Sequence, residues 1–166
     1  LLPLLLTLLL LQGQIGKFGS LELTDVSAFV ELPDGKVLSS SESGALLLWD
    51  SGFIKVVFCQ PGGEPCHAAG VEVLLHNKEV NYILSGGADG VLRLWDFNKL
   101  NDADPREMAI SCEVRPAVEV TLPDHGHIRA CLWTKRTWLV LVDSGALLQV
   151  SDCCSCDSRL AQHLSH

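Results

Sequence analysis

Three side chains in the middle of the chain have the types that nucleophilic hydrolysis uses: His67, Ser85 and Asp89, with Trp95 close behind in sequence. A triad of this kind needs its serine on a sharp strand-to-helix turn with backbone N–H donors beside it to hold an oxyanion. Here the serine sits in "YILSGG", a β-prone run leading to a tight turn, with no helix pattern after it, so catalysis is not the expectation. A second group, Cys153, Cys156, His163 and His166, has metal-ligand chemistry. Zinc fingers separate the Cys pair from the His pair by about 12 residues. Only six residues lie between Cys156 and His163, too few for the hairpin and helix of a finger. No metal, cofactor or catalytic group is expected. A third group is acidic: Asp102, Asp104 and Glu107 in "NKLNDADPREMAISCEVR" could face a basic protein partner, or form a solvated loop among Lys99 and Arg106.

The elements that position these residues follow from a repeat. "SSSESGALLLWD", from Ser39, returns 46 residues later as "SGGADGVLRLWD", from Ser85, and "DSGALLQVSD" continues the register. Self-similarity at such a period marks a stacked-unit architecture. The aligned glycines are Gly44, Gly90 and Gly145, spaced 46 and 55 residues apart, each lying between two β-prone runs. Each marks a tight turn between the second and third strands of a unit, where glycine supplies positive φ. First strands lie upstream in "SAFVEL", "VEVLLH" and "IRACLW", and fourth strands downstream in "FIKVVFC" and "PAVEVTL". The third unit shows no fourth strand. Runs such as "ALLLW" and "WLVLV" are apolar on both sides, so the sheets are expected to be covered on both faces. Trp133 and Trp138 fall on such strands and are expected in the core.

Composition agrees with a folded, non-nucleic-acid protein. The chain has 166 residues, 48% of them hydrophobic, and a net charge of -8 without a Lys/Arg cluster, which argues against a phosphate-backbone binder. The opening "LLPLLLTLLLL" is eleven residues, against the roughly 20 that a membrane-spanning helix needs. It lacks a basic stretch ahead of it and a small-residue cleavage site, so neither a span nor a signal peptide is expected. Of seven cysteines, Cys59, Cys66, Cys112 and Cys131 have no metal-like spacing and are expected as reduced core or near-core residues.

Trp49-Asp50 and Trp95-Asp96, each ending its repeat, resemble the signature of WD-repeat proteins. The resemblance implies an all-β fold, a partial WD-repeat β-propeller of about three four-stranded blades over 21–152, the last one truncated. Residues 1–20 would be an apolar leader and loop, and 153–166 a disordered tail. His67 lies 28 residues before Trp95, Ser85 ten before it and Asp89 six before it, the spacing of the family's hydrogen-bonded network. What this implies is that Asp89 accepts from His67 and that the Trp95 indole ends on Ser85, tying the strands of a blade together. The preceding unit keeps Trp49 and Ser39 but has Ser43 for the Asp and Leu21 for the His, and the third has Val150 for the Trp. Cys66 replaces the glycine usual before the His.

From about Gly16 to Asp152, "ELPDGKV", "ESGALLLW" and "DGVLRLWDF" in that order resemble the cilia- and flagella-associated WD-repeat proteins of the axonemal type that tethers an inner dynein arm. That resemblance implies a piece of a large non-enzymatic scaffold in the cilium or flagellum, with axonemal dynein or tether components as partners and no membrane, nucleic acid or small-molecule substrate. The leader before about residue 14 and the tail after Asp152 do not share it. The other reading is a cytosolic WD-repeat adaptor such as a ubiquitin-ligase substrate receptor. An enzymatic propeller would need convergent carboxylates, histidines or metal ligands around its channel.

Overall fold

The computed structural model of the chain describes residues 16–18, 21–23, 25–104, 110–134, 137–151 and 161–164. After a short hairpin of β1 (Gly16–Phe18) and β2 (Leu21–Leu23), three sheets follow one another. The first contains β3 (Val26–Glu31), β4 (Val37–Ser41), β5 (Leu46–Asp50) and β6 (Phe53–Cys59), paired antiparallel in that order. The second contains β7 (Val71–Asn77), β8 (Tyr82–Gly87), β9 (Val91–Asp96) and β11 (Val118–Thr121), again antiparallel. In the third, β12 (Ile128–Thr134), β13 (Thr137–Val142) and β14 (Leu147–Ser151) pair likewise, and β15 (Ala161–Leu164) closes the outer side. Each sheet is a propeller blade, and three blades make a partial propeller.

Turn chemistry explains the strand boundaries. Gly44, Gly90 and Gly145 have φ of +82°, +67° and +81°, the left-handed conformation that lets the second strand reverse into the third. Between β5 and β6 the two-residue turn Ser51-Gly52 has both φ values positive, 52° and 86°, as a hairpin turn matched to strand twist requires.

Strands β4, β5, β8 and β9 bury both faces because blades stack. In "WLVLV" of β13, Trp138, Val140 and Val142 are buried while Leu141 on the other face is exposed, so the expectation of two covered faces is corrected for the third blade. Leu38, Leu46, Leu48, Val56 and Phe58 of the first blade meet Leu74, Ile83 and Trp95 of the second in one cluster. A second cluster joins Leu84, Leu92 and Leu94 to Ile128, Trp138, Val140, Leu148 and Val150 of the third blade. Trp138 is buried, and half-buried Trp133 lies against it with ring centroids 4.7 Å apart. Cys59 and Cys66 are buried, Cys112 and Cys131 half-buried, and all four are free thiols. Burial pushes the Cys131 thiol up to about 12 and raises that of Cys66 as well, so both stay protonated and unreactive. Among the described residues no helix is long and apolar enough to cross a membrane.

Two further expectations are corrected. The third blade has a fourth strand after all: Ala161–Leu164 pairs with Leu147–Val150 inside the segment expected to be disordered. "AQHL" is too short and too polar to announce a strand, and it is the unsatisfied backbone edge of β14 that gives it a partner. The interruption between Phe97 and Pro116 is not a plain loop either. It holds a five-residue helix, α1 (Phe97–Asn101), and a strand, β10 (Ser111–Glu113), that pairs parallel with β6 of the first blade.

Candidate functional site: a buried polar network in the second blade

Four residues from four different segments converge between the first and second blades. Trp95 comes from β9, Ser85 from β8, Asp89 from the turn between them, and His67 from the connection that leads from the first blade into β7. The Trp95 indole N–H donates to Ser85 Oγ at 2.7 Å, and Ser85 Oγ stands 2.7 Å from His67 Nε2. His67 Nδ1 lies 3.0 Å from Asp89 Oδ2 and 3.1 Å from Oδ1. One assignment of protons serves Trp95, Ser85, His67 and Asp89, with Arg93 Nη1, which also lies 2.9 Å from His67 Nδ1, donating to the carboxylate instead. Trp95 donates to Ser85, the Ser85 hydroxyl donates to Nε2, and Nδ1–H donates to the Asp89 carboxylate.

The backbone supports the acceptor end. Asp89 Oδ2 accepts from Ala68 N at 3.2 Å and Oδ1 from Val91 N at 3.1 Å, which fixes the carboxylate to both the incoming segment and its own turn. Arg93 Nη1 donates to Asp89 Oδ2 at 2.9 Å, and Arg93 Nε to Glu119 Oε2 at 2.8 Å. Burial alone would raise the Asp89 carboxyl, but hydrogen bonds from His67, Arg93 and the Val91 N–H outweigh it and hold it far below the usual carboxylate range. Burial pushes His67 below the ordinary histidine value despite the neighbouring carboxylate, so the ring is neutral.

Such an arrangement binds strands but does not admit a substrate. Ser85 and His67 are both 0% exposed, and the Ser85 hydroxyl is already committed as donor to His67 and acceptor from Trp95. No lone pair is left facing solvent for attack on a carbonyl.

The other blades carry less of this network. In the first, the Trp49 indole donates to buried Ser39 Oγ at 2.7 Å, and Ser41 Oγ accepts from Ala45 N at 3.1 Å and contacts Ser43 Oγ at 2.9 Å across the turn. In the third, Val150 stands opposite Trp138 in the ladder and Val140 opposite Leu148, so packing replaces hydrogen bonds. Trp138 Nε1 is buried without a hydrogen-bond partner among the described residues.

Arg93 and Glu119 escaped the sequence reading. Ser85, Arg93 and Glu119 stand opposite one another across three adjacent strands, so their side chains share one face. The available signal was a lone arginine inside "VLRLWD": a cation in a strand buried on both faces needs a carboxylate partner. The acidic residues lie elsewhere. Asp104 is exposed and pairs with Lys55 at 3.6 Å, Asp102 caps the C-terminal end of α1, and Glu107 lies outside the described residues. Cys153, Cys156 and His166 also lie outside them, and His163 is placed only by its backbone on β15. Among the described residues no cluster of His, Cys, Asp and Glu could hold a metal ion.

Comparison with known proteins agrees with this geometry. The family model "WD domain, G-beta repeat" matches residues 62–96, the stretch that contains all four network residues. Cilia- and flagella-associated protein 44 of Chlamydomonas reinhardtii is 51% identical over 143 residues, 85% of this chain and 8% of that protein. The mouse protein of the same name is 41% identical over 111 residues, 66% of this chain and 6% of its own length. The chain thus spans less than a tenth of the curated relatives it matches. Among solved structures, the C-terminal WD40 domain of Sif2 superposes with a TM-score of 0.54 at 16% identity, over 77% of this chain and 32% of that one. The blades, the repeat and the extent of identity lead to one conclusion: the chain is a WD-repeat β-propeller segment, homologous to the cilia- and flagella-associated WD-repeat proteins.

Proposed function

We propose that the chain serves as a non-enzymatic protein-interaction scaffold in the ciliary or flagellar axoneme, contributing to motility through dynein-arm tethering. The observation that carries this reading is the 51% identity over 85% of the chain to a protein named for its association with cilia and flagella. Identity at that level over a propeller segment extends beyond core positions to surface ones, and the surface is where a scaffold meets its partners. In this reading His67, Ser85, Asp89 and Trp95, with Trp49 and Ser39 in the preceding blade, are structural: they hold strands in place so that the loops between blades keep a fixed geometry.

The test is an immunoblot of isolated axonemes and of cytosol with an antibody against residues 31–52. Signal retained in detergent-extracted axonemes and lost on silencing the transcript is the expected outcome. Signal confined to cytosol would overturn the axonemal role and favour a soluble adaptor. For the tethering role, antibody-detected loss of inner dynein arms after silencing is expected; unchanged arm content would refute it.

A further inference from the structure

The path of the chain between β9 and β11 does more than join two strands of one blade. In the first blade the corresponding connection, from β5 to β6, takes two residues, Ser51 and Gly52. In the second blade the chain leaves β9 at Asp96, whose Oδ1 accepts from Asn98 N and Lys99 N and so starts α1, and then crosses to the first blade. There Ser111, Cys112 and Glu113 lie parallel beside Val57, Phe58 and Cys59. Val57 N donates to Ile110 O and Val114 N to Cys59 O, each at 2.8 Å, before Ala117 N returns to Leu94 O in the second blade at 2.7 Å.

Ordering a residue costs backbone entropy, so an excursion of this length persists only where burial and hydrogen bonds offset that cost. The offsetting contacts come from both blades. Leu100 is 0% exposed, and with Ala103 and Val114 it belongs to the same cluster as Leu38 and Phe58 of the first blade and Ile83 and Trp95 of the second. Phe97 stacks on His76 of the second blade at 4.5 Å with 10° between the rings. Lys36 of the first blade donates to Asn101 O at 2.9 Å, and Gly62 N to Glu113 Oε1 at 3.3 Å. β10 also covers the edge of "FIKVVFC", an apolar β-prone strand that would otherwise present unpaired backbone groups.

We propose that residues 97–104 and 110–114 form an inter-blade clasp that makes the first and second blades one cooperative unit. The third blade, held by packing and by Glu72 with Arg129 and His127, lies outside that unit.

Hydrogen exchange followed by mass spectrometry on the full chain tests the clasp with three variants. Leu100→Ala empties its anchor, Cys112→Pro removes a ladder N–H at the parallel edge, and Lys36→Met keeps the aliphatic stem while losing the bond to Asn101. Lys36→Met also loses the ion pair to Asp34 in the β3–β4 turn, which Asp34→Asn weakens alone as the control. The informative amides are those of β5 and β8, which make no bond to the clasp. Leu100→Ala and Cys112→Pro are expected to speed their exchange roughly tenfold, and Lys36→Met about threefold, with β13 and β14 unchanged. Two results overturn the proposal: faster exchange confined to 97–114 while β5 and β8 keep their protection, or an equal loss across all three blades in Leu100→Ala and Lys36→Met. Lys36→Met perturbs no core residue, so the outcome does not depend on whether Cys112→Pro folds.

Discussion

At the scale of single residues, the second blade depends on a buried network in which Trp95, Ser85, His67 and Arg93 all find acceptors. Removing one member leaves the others desolvated and unpaired, which costs more than the bond itself contributed. His67→Ala leaves the Asp89 carboxylate without its ring donor and Ser85 without its acceptor, and is expected to destabilise the chain by about 2–4 kcal/mol in urea denaturation. Ser39→Ala in the first blade removes one acceptor from Trp49 and is expected to cost about 1 kcal/mol in the same measurement. The network also sets the pH dependence. His67 and Asp89 both titrate lower in the folded chain than in the unfolded one, so the unfolded state binds more protons as pH falls. Stability is therefore complete above the unfolded histidine value near 6.5 and declines on acidification below it. A further decline begins below about pH 4, as the unfolded aspartate protonates. His76, lowered by burial and by Lys78, acts with the same sign. The urea midpoint is expected to fall from pH 7.5 toward pH 5, about these values. His67→Gln should reduce that slope, and adding His76→Gln should flatten it; an unchanged slope in the double variant would refute the assignment.

At the scale of elements, two glycines of the same register separate conformational from steric demands. Gly44 and Gly145 have nearly the same φ, +82° and +81°. A Cβ on Gly44 would run into the His67 carbonyl oxygen, where His67 N also donates to Gly44 O, whereas among the described residues nothing lies within 4 Å of one on Gly145. Gly145→Ala is expected to cost about 1 kcal/mol, the strain of the left-handed conformation alone. Gly44→Ala must also push the His67 segment away and is expected to cost several times more, about 3 kcal/mol or above, measured as the difference in urea midpoint. Both glycines were visible in the sequence as turn positions. Their difference was not, because the atom that Gly44 must avoid comes from the connection into the next blade, more than 20 residues downstream.

At the scale of the whole molecule, the third blade presents an apolar face away from the second. Leu132, Leu141 and Leu147 are 61%, 38% and 40% exposed, and Leu141 stands directly opposite both Ala130 and Leu147 in the ladder. A contiguous patch of this kind associates in water. Sedimentation velocity of the 166-residue chain is expected to show species larger than the monomer, and Leu132→Lys with Leu141→Lys to shift them to monomer. A monodisperse monomer for the unaltered chain would contradict this.

By itself, the sequence determined what depends on near neighbours. Tight turns need glycine at positive φ, strands buried on both faces read as apolar runs, and the His67, Ser85, Asp89 and Trp95 spacing marks one blade. Tertiary structure alone decided what depends on segments distant in sequence. It placed Cys112 beside Phe58, set Glu119 opposite Arg93 as its counter-charge, and paired Ala161–Leu164 with β14. These segments carry no periodic signal of their own, because backbone edges and buried charges supplied elsewhere in the fold create their partners.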